Sequence, residues 1–158
     1  MTVLSDTDIL RYISEGKVAI RDYRQTSLTP NGYDLTIAEV QVPAAGITAK
    51  EGTAIVPPLT RFLVSTLERV EFGPEVAGEL WLRTTWARRG VLASFGKIDA
   101  GFRGTLTFGA FNASHEPLPI PIGERFAQLV FIPLTTAAAK TYGERSGNYQ
   151  DQQGVVIR

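Results

Sequence analysis

ELWLRTTWARRGVLASFGKIDAGFRGTLTFGAFN, residues 79–112, decides the fold because its apolar runs are short, alternate, and are broken by turn residues. Side chains along a strand point to opposite faces, so over 105–112 Leu106, Phe108 and Ala110 share one face. Thr105, Thr107, Gly109 and Phe111 share the other. The same stretch concentrates four arginines and one aspartate between its hydrophobic runs.

Outward from this stretch, further short β-like runs fall at 18–20, 33–40, 54–56, 61–66, 68–72, 80–83 and 125–134, punctuated by Gly and Pro. Runs of that number and length predict an all-β barrel or sandwich. The exception is 4–16, which predicts a helix: Ser5 caps it, Asp8 stands three residues later, and Gly16 stops it. Ile9 and Ile13, four residues apart, give that helix one apolar face, suited to covering an open barrel end.

At 158 residues and 44% hydrophobic, the chain predicts one domain over 1–158 with a core that needs no staples. With no cysteine there is neither a disulfide nor a thiolate metal site, and the single histidine, His115, lies in a turn at 112–117. A net charge of zero argues against a broad nucleic-acid-binding face. No apolar run reaches the roughly 20 residues of a membrane span, and no basic-then-apolar leader opens the chain. The expectation is a cytoplasmic protein with no nucleic-acid or membrane partner.

Three places carry candidate chemistry. RTTWARRG, 83–90, supplies guanidinium forks, threonine hydroxyls and backbone N–H groups, the donors a polyphosphate needs; the competing reading is a solvated turn with ordinary surface arginines. IDAGFRG, 98–104, predicts a β-hairpin turn, with Asp99 bonding its own backbone and Gly101 at positive φ. Gly109 interrupts a strand at a cost of roughly 0.5–1 kcal/mol relative to Ala, which often marks close approach by backbone or ligand.

Elsewhere the signals are weaker. TPNG, 29–32, is a turn that sets Asp34 near the start of the next strand, where an acid usually caps the turn. Gln128 sits among Phe126, Val130 and Ile132 on one face and needs partners, since an unpaired buried amide costs ~1–3 kcal/mol. The polar, Gly-containing segment from Tyr142 predicts a C-terminal lid over 142–158, mobile unless something orders it.

RTTWAR followed by IDAGFRG resembles the dUTPase and dCTP deaminase superfamily, whose signatures are Arg-Ser-Ser-x-Ala-Arg and then Ile-Asp-Pro/Ala-Gly-Phe/Trp-Arg-Gly. LSDTDI, SLTPNGYDLTI, ERFAQLVF and SGNYQDQQG resemble segments of the deaminase branch. The resemblance implies a distorted, jelly-roll-like β-barrel of the β-clip type with a short N-terminal helix. It also implies a homotrimer with sites between subunits, and Mg2+ as cofactor. It makes Asp99 the group that activates water and meets the deoxyribose, Phe102 the guard against a 2′-hydroxyl, and Arg83, Thr84, Thr85 and Arg88 the phosphate segment. Threonines replace both family serines. Gln128 is implied to contact phosphate, with Arg125 a weaker match; Tyr142, Tyr149 and Gln152 to contact base or phosphate from the tail; and Asp34 to hold hydrated magnesium through water.

In the deaminase branch the glutamate that shuttles protons stands ten residues after the Ile-Asp aspartate. Counting from Asp99 lands on Gly109. Deamination needs a group that takes a proton from water and returns one to ring and ammonia, and glycine does neither. Zinc does not substitute, because its ligands are missing. The expectation is therefore a dUTP diphosphatase. The alternatives are a dCTP deaminase, mono- or bifunctional, using another acid, and a catalytically silent nucleotide-binding protein.

Overall fold

Helix α1 (Asp6–Ser14) starts where its cap does: Ser5 Oγ accepts from the N–H of Asp8 at 3.2 Å, and Gly16 at φ 70° follows its last turn. Ile9 is its buried residue and Ile13 packs beside it. The structure, a computed structural model, describes residues 2–157; Met1 and Arg158, the ends of the expected domain and of the expected lid, lie outside the described residues.

The remaining elements are mostly strands: β1 (Val18–Arg21), β2 (Leu28–Thr29), β3 (Gly32–Val42), β4 (Ile47–Ala49), β5 (Thr53–Val56), β6 (Thr60–Thr66), β7 (Arg69–Phe72), β8 (Val76–Leu82), helix α2 (Thr84–Arg88), β9 (Val91–Ser94), β10 (Lys97–Ile98), β11 (Arg103–Gly104), β12 (Thr107–Asn112), β13 (Leu118–Pro121), β14 (Arg125–Pro133) and helix α3 (Tyr142–Arg145). The largest sheet runs β10-β8-β14-β3-β6-β12-β9, with β2 and β4 attached to β3, and every pairing in it is antiparallel. Two smaller sheets, β1-β7-β11 and β13-β5, complete the curled all-β fold that the alternation predicts.

The core explains the curl. β12 follows the expected two-face pattern, with Leu106, Phe108 and Ala110 buried. Phe108 stacks on Phe126 at 6.2 Å, and Phe126 also meets Trp86 at 5.5 Å, Phe62 at 6.2 Å and Phe95 at 6.5 Å. Each such ring pair contributes roughly 0.5–1.5 kcal/mol beyond its buried area, so this cluster fastens β6, β12 and β14 to α2.

Four expectations change. Strands β2, β4, β9, β10, β11 and β13 are absent from the sequence reading, each being two to four residues long and stabilised by its partner more than by its own alternation. Segment 83–90 is no open turn but contains α2, which the buried Trp86 anchors. The arms of the 98–104 turn do not form a hairpin, since Lys97–Ile98 pairs with β8 and Arg103–Gly104 with β7. Finally, the β14–β3 register shifts between Arg125 and Ala127. That irregularity breaks the simple alternation at Phe126, which joins the aromatic cluster while Gln128 faces polar partners.

Candidate active site

The two-residue turn between Thr29 and Gly32 launches β3, which places Asp34 opposite Gln128 of β14. Asp34 is buried, and its Oδ2 lies 2.9 Å from Arg83 Nε and 3.4 Å from Arg125 Nη1. Gln128 Nε2 donates to Thr29 Oγ1 at 3.1 Å and to Asp34 Oδ1 at 3.4 Å, which satisfies the half-buried amide. Gly32 permits this closeness, because a Cβ there would stand 2.7 Å from the Leu129 carbonyl oxygen. Arg83 immediately precedes α2, and its N–H donates to Phe126 O.

Along α2, Trp86 is buried and its Nε1 donates to the Arg125 carbonyl at 2.8 Å. Thr84, Thr85 and Arg88 are exposed on the outside of the same helix. Arg89 is committed to structure: it covers the Trp86 ring and donates to Pro119 O at 2.8 Å. Helix α2 therefore presents two hydroxyls and one arginine to solvent, beside the Arg83–Asp34–Arg125 cluster.

A second group of the predicted residues lines a cavity of about 400 Å³: Asp99, Phe102, Gly109, Tyr142, Tyr149 and Gln152. Asp99 is exposed at the head of a turn closed by the Phe102 N–H donating to Asp99 O. Phe102 is buried and meets Tyr142 edge-on at 5.6 Å. Tyr142 Oη accepts from the Tyr149 N–H at 3.0 Å, which holds both tail tyrosines beside the Asp99 turn. Gly101, at φ 85°, leaves the space that Thr141 occupies: a Cβ would fall 2.3 Å from Thr141 Cβ.

The cavity also takes in Arg61, Ser94 and Lys97, which sequence reasoning did not single out. Ser94 faces Gly109 across the β12–β9 pair, a register that no local pattern discloses. Asp99 is the one carboxylate among the cavity's described lining residues. Asp34, Arg83, Thr84, Thr85, Arg88 and Gln128 are not part of that lining, so within one chain the predicted residues form two groups.

Among the described residues there is no group of three or more His, Cys, Asp or Glu that could hold a metal ion. The Asp34 carboxylate, the candidate for hydrated magnesium, faces two guanidiniums and an amide. As arranged it does not fit a metal-holding role. In the tail, hydrogen bonds from Arg103, and then from Arg69, lower the pKa of Asp151 to about 2.

The fold and these motifs define a class. The dCTP deaminase-like family model matches residues 40–134, and the chain belongs to that family. The chain is 39% identical over 145 residues to a dCTP deaminase of Thermococcus gammatolerans, covering 90% of each. It is 34% identical over 157 residues to a probable deoxyuridine 5′-triphosphate nucleotidohydrolase of Sulfolobus islandicus rod-shaped virus 1, covering 98% of this chain and 97% of the viral one. The crystal structure of 2′-deoxycytidine 5′-triphosphate deaminase from Agrobacterium tumefaciens has the same fold, with a TM-score of 0.67 at 16% identity over 82% of this chain and 47% of that one. The names of the cellular relatives thus stand nearer to deamination than to the expected hydrolysis. Among the described residues no helix is long and apolar enough to cross a membrane.

Proposed function

We propose that this enzyme is a dUTP diphosphatase, converting dUTP to dUMP and diphosphate in a homotrimer. The observation that supports it is the make-up of the Asp99 cavity, where Asp99 is the one carboxylate among the described lining residues and Gly109 lines the cavity with no side chain. Hydrolysis at the α-phosphorus asks for one carboxylate to orient and deprotonate water, and for cations to absorb the charge that develops. Deamination asks for a second proton carrier near the base.

In this reading Asp99 activates the water and Phe102 packs against the deoxyribose. Tyr142, Tyr149 and Gln152 hold the nucleotide from the tail. Arg83, Thr84, Thr85 and Arg88 receive the triphosphate, with Asp34 and Gln128 keeping Arg83 and its neighbours in place. These two groups lie apart in one chain, which fits a site where one subunit's phosphate segment meets another's Asp99 cavity. Magnesium, the cofactor the family resemblance implies, would be held by the triphosphate rather than by side chains of this chain, and would offset phosphate charge.

A second reading, dCTP deamination with or without onward hydrolysis to dUMP, is favoured by the names of relatives such as the Thermococcus enzyme. It requires an acid other than a residue at 109. The two are separated by incubating the protein with magnesium and either dUTP or dCTP, with Asp99→Asn alongside. Formation of dUMP and diphosphate from dUTP alone, abolished by Asp99→Asn, supports hydrolysis. Ammonia release from dCTP overturns it in favour of deamination.

A further inference from the structure

The small sheet β1-β7-β11 brings cations together. Arg21 and Arg69 are direct cross-strand partners, and Arg103 stands opposite Glu71 on the other side of β7. Like charges opposite each other are unfavourable. Glu71 partly compensates, at 3.1 Å from Arg21 and 3.4 Å from Arg69. Three guanidiniums on one small sheet would still share a single carboxylate.

The tail supplies the second one. Asp151 accepts from Arg103 Nε at 2.7 Å and Arg103 Nη2 at 2.8 Å, and it pairs with Arg69 Nη2. Its own N–H donates to Arg103 O at 2.8 Å, with Asp151 at φ 60°. A non-glycine residue held in the left-handed region needs surroundings that fix it there. Exposed ion pairs contribute little singly, but a two-toothed guanidinium contact inside a network is the exception.

The residues next to the clamp are those that line the cavity. The Thr105 N–H donates to Gln152 O at 3.0 Å, and Gln152 Nε2 donates to Thr105 O at 2.7 Å. Gln150 reaches Gly101 O at 3.0 Å. Gly104 makes room, since a Cβ there would lie 3.2 Å from both the N and O of Gln152. Further along, Thr107 Oγ1 bonds Gly154 O, and Glu39 accepts from the Val155 N–H.

We propose that Asp151, clamped by Arg69 and Arg103, is a positioning residue that seats Tyr149 and Gln152 against the Asp99 turn. This rests on the reading of the cavity as a nucleotide site. The tail then loses little further freedom on binding, and affinity gains from that preorganisation. The clamp acts on how tightly the nucleotide is held and leaves the chemistry at Asp99 untouched.

The test is Asp151→Asn in the full chain, read by amide hydrogen exchange over 148–156 without nucleotide and by calorimetric titration with α,β-imido-dUTP. Exchange should quicken and affinity should weaken, each roughly three- to tenfold. Arg103→Gln, which keeps Asp151 but removes its two-toothed partner, should move exchange and affinity in the same direction. Unchanged exchange in Asp151→Asn overturns the proposal. So does faster exchange with unchanged affinity. If the unaltered protein does not bind the analogue at all, the nucleotide reading fails, while the exchange data still decide whether the clamp seats the tail.

Discussion

Gly109 lies directly across from Leu63 in the β12–β6 ladder, and a side chain built on it would meet no atom within 4 Å. Its backbone is not in the left-handed region, so the glycine serves neither a turn nor a close contact within the chain. Gly109→Ala should therefore stabilise the protein by roughly 0.5–1 kcal/mol, because it removes unfolded-state freedom without a clash. Urea unfolding checks this. Gly109→Glu places a carboxylate in the same cavity as Asp99, and the expected outcome is ammonia release from dCTP that the unaltered protein does not show. A destabilised Gly109→Ala would mean that another surface closes over this position.

Asp34 is the hub of the cation cluster, so Asp34→Asn tests what it holds. Its Oδ2 is the anion beside Arg83 and Arg125, and charge-assisted hydrogen bonds of this kind contribute about 1.5–3 kcal/mol before allowance for the part-exposed arginines. Asp34→Asn should lose about 1–2 kcal/mol of stability and weaken dUTP turnover at every magnesium concentration. The magnesium concentration giving half-maximal rate should stay where it is. A large rise in that concentration would restore the magnesium-holding role that the family resemblance implies.

The legible and illegible parts of this molecule divide along range. Ser5, Asp8 and Gly16 act within one turn of helix, and the alternation at 105–112 acts within one strand, so both were readable. Gln128 announced that it needed partners but not which ones, because Asp34 is 94 residues away. The turn at 98–104 looked like a hairpin because its local chemistry is that of a turn; which strands its arms join is settled by β7 and β8. Asp151 carried no signal, since its value lies in arginines at 69 and 103 that only the small sheet assembles.

Trp86 joins α2 to β14 through both its ring and its N–H. It is buried against Phe126, and its Nε1 donates to the Arg125 carbonyl, which also accepts from Arg83 Nη1 at 3.3 Å. Trp86→Phe keeps an aromatic ring but loses that bond and leaves a void, so a loss of roughly 1.5–3 kcal/mol is expected. Because the helix carrying Thr84, Thr85 and Arg88 loses its anchor, the KM for dUTP should rise more than kcat falls. An equal fall in kcat with unchanged KM would show that α2 does not position the phosphate segment.

Glu68 follows β6 and is fully buried, with Oε2 accepting from the Thr36 N–H at 2.8 Å. Its Oε1 has no hydrogen-bond partner, nor do the buried hydroxyls of Thr36 and Ser65. Burial therefore pushes the carboxyl above its ordinary value of 4.5, against the opposing pull of the Thr36 N–H and of the Arg24 charge. A raised carboxyl binds its proton more tightly in the folded chain than in the unfolded one. Stability from this group is thus full below the ordinary value and declines as pH rises through the folded-state value. Glu68→Gln keeps the shape and the Thr36 contact but cannot ionise. Its unfolding free energy, measured in urea between about pH 4 and pH 8, should gain on that of the unaltered protein as pH rises. Parallel curves would mean that Glu68 keeps an ordinary pKa, and that an internal water supplies the partner its Oε1 lacks.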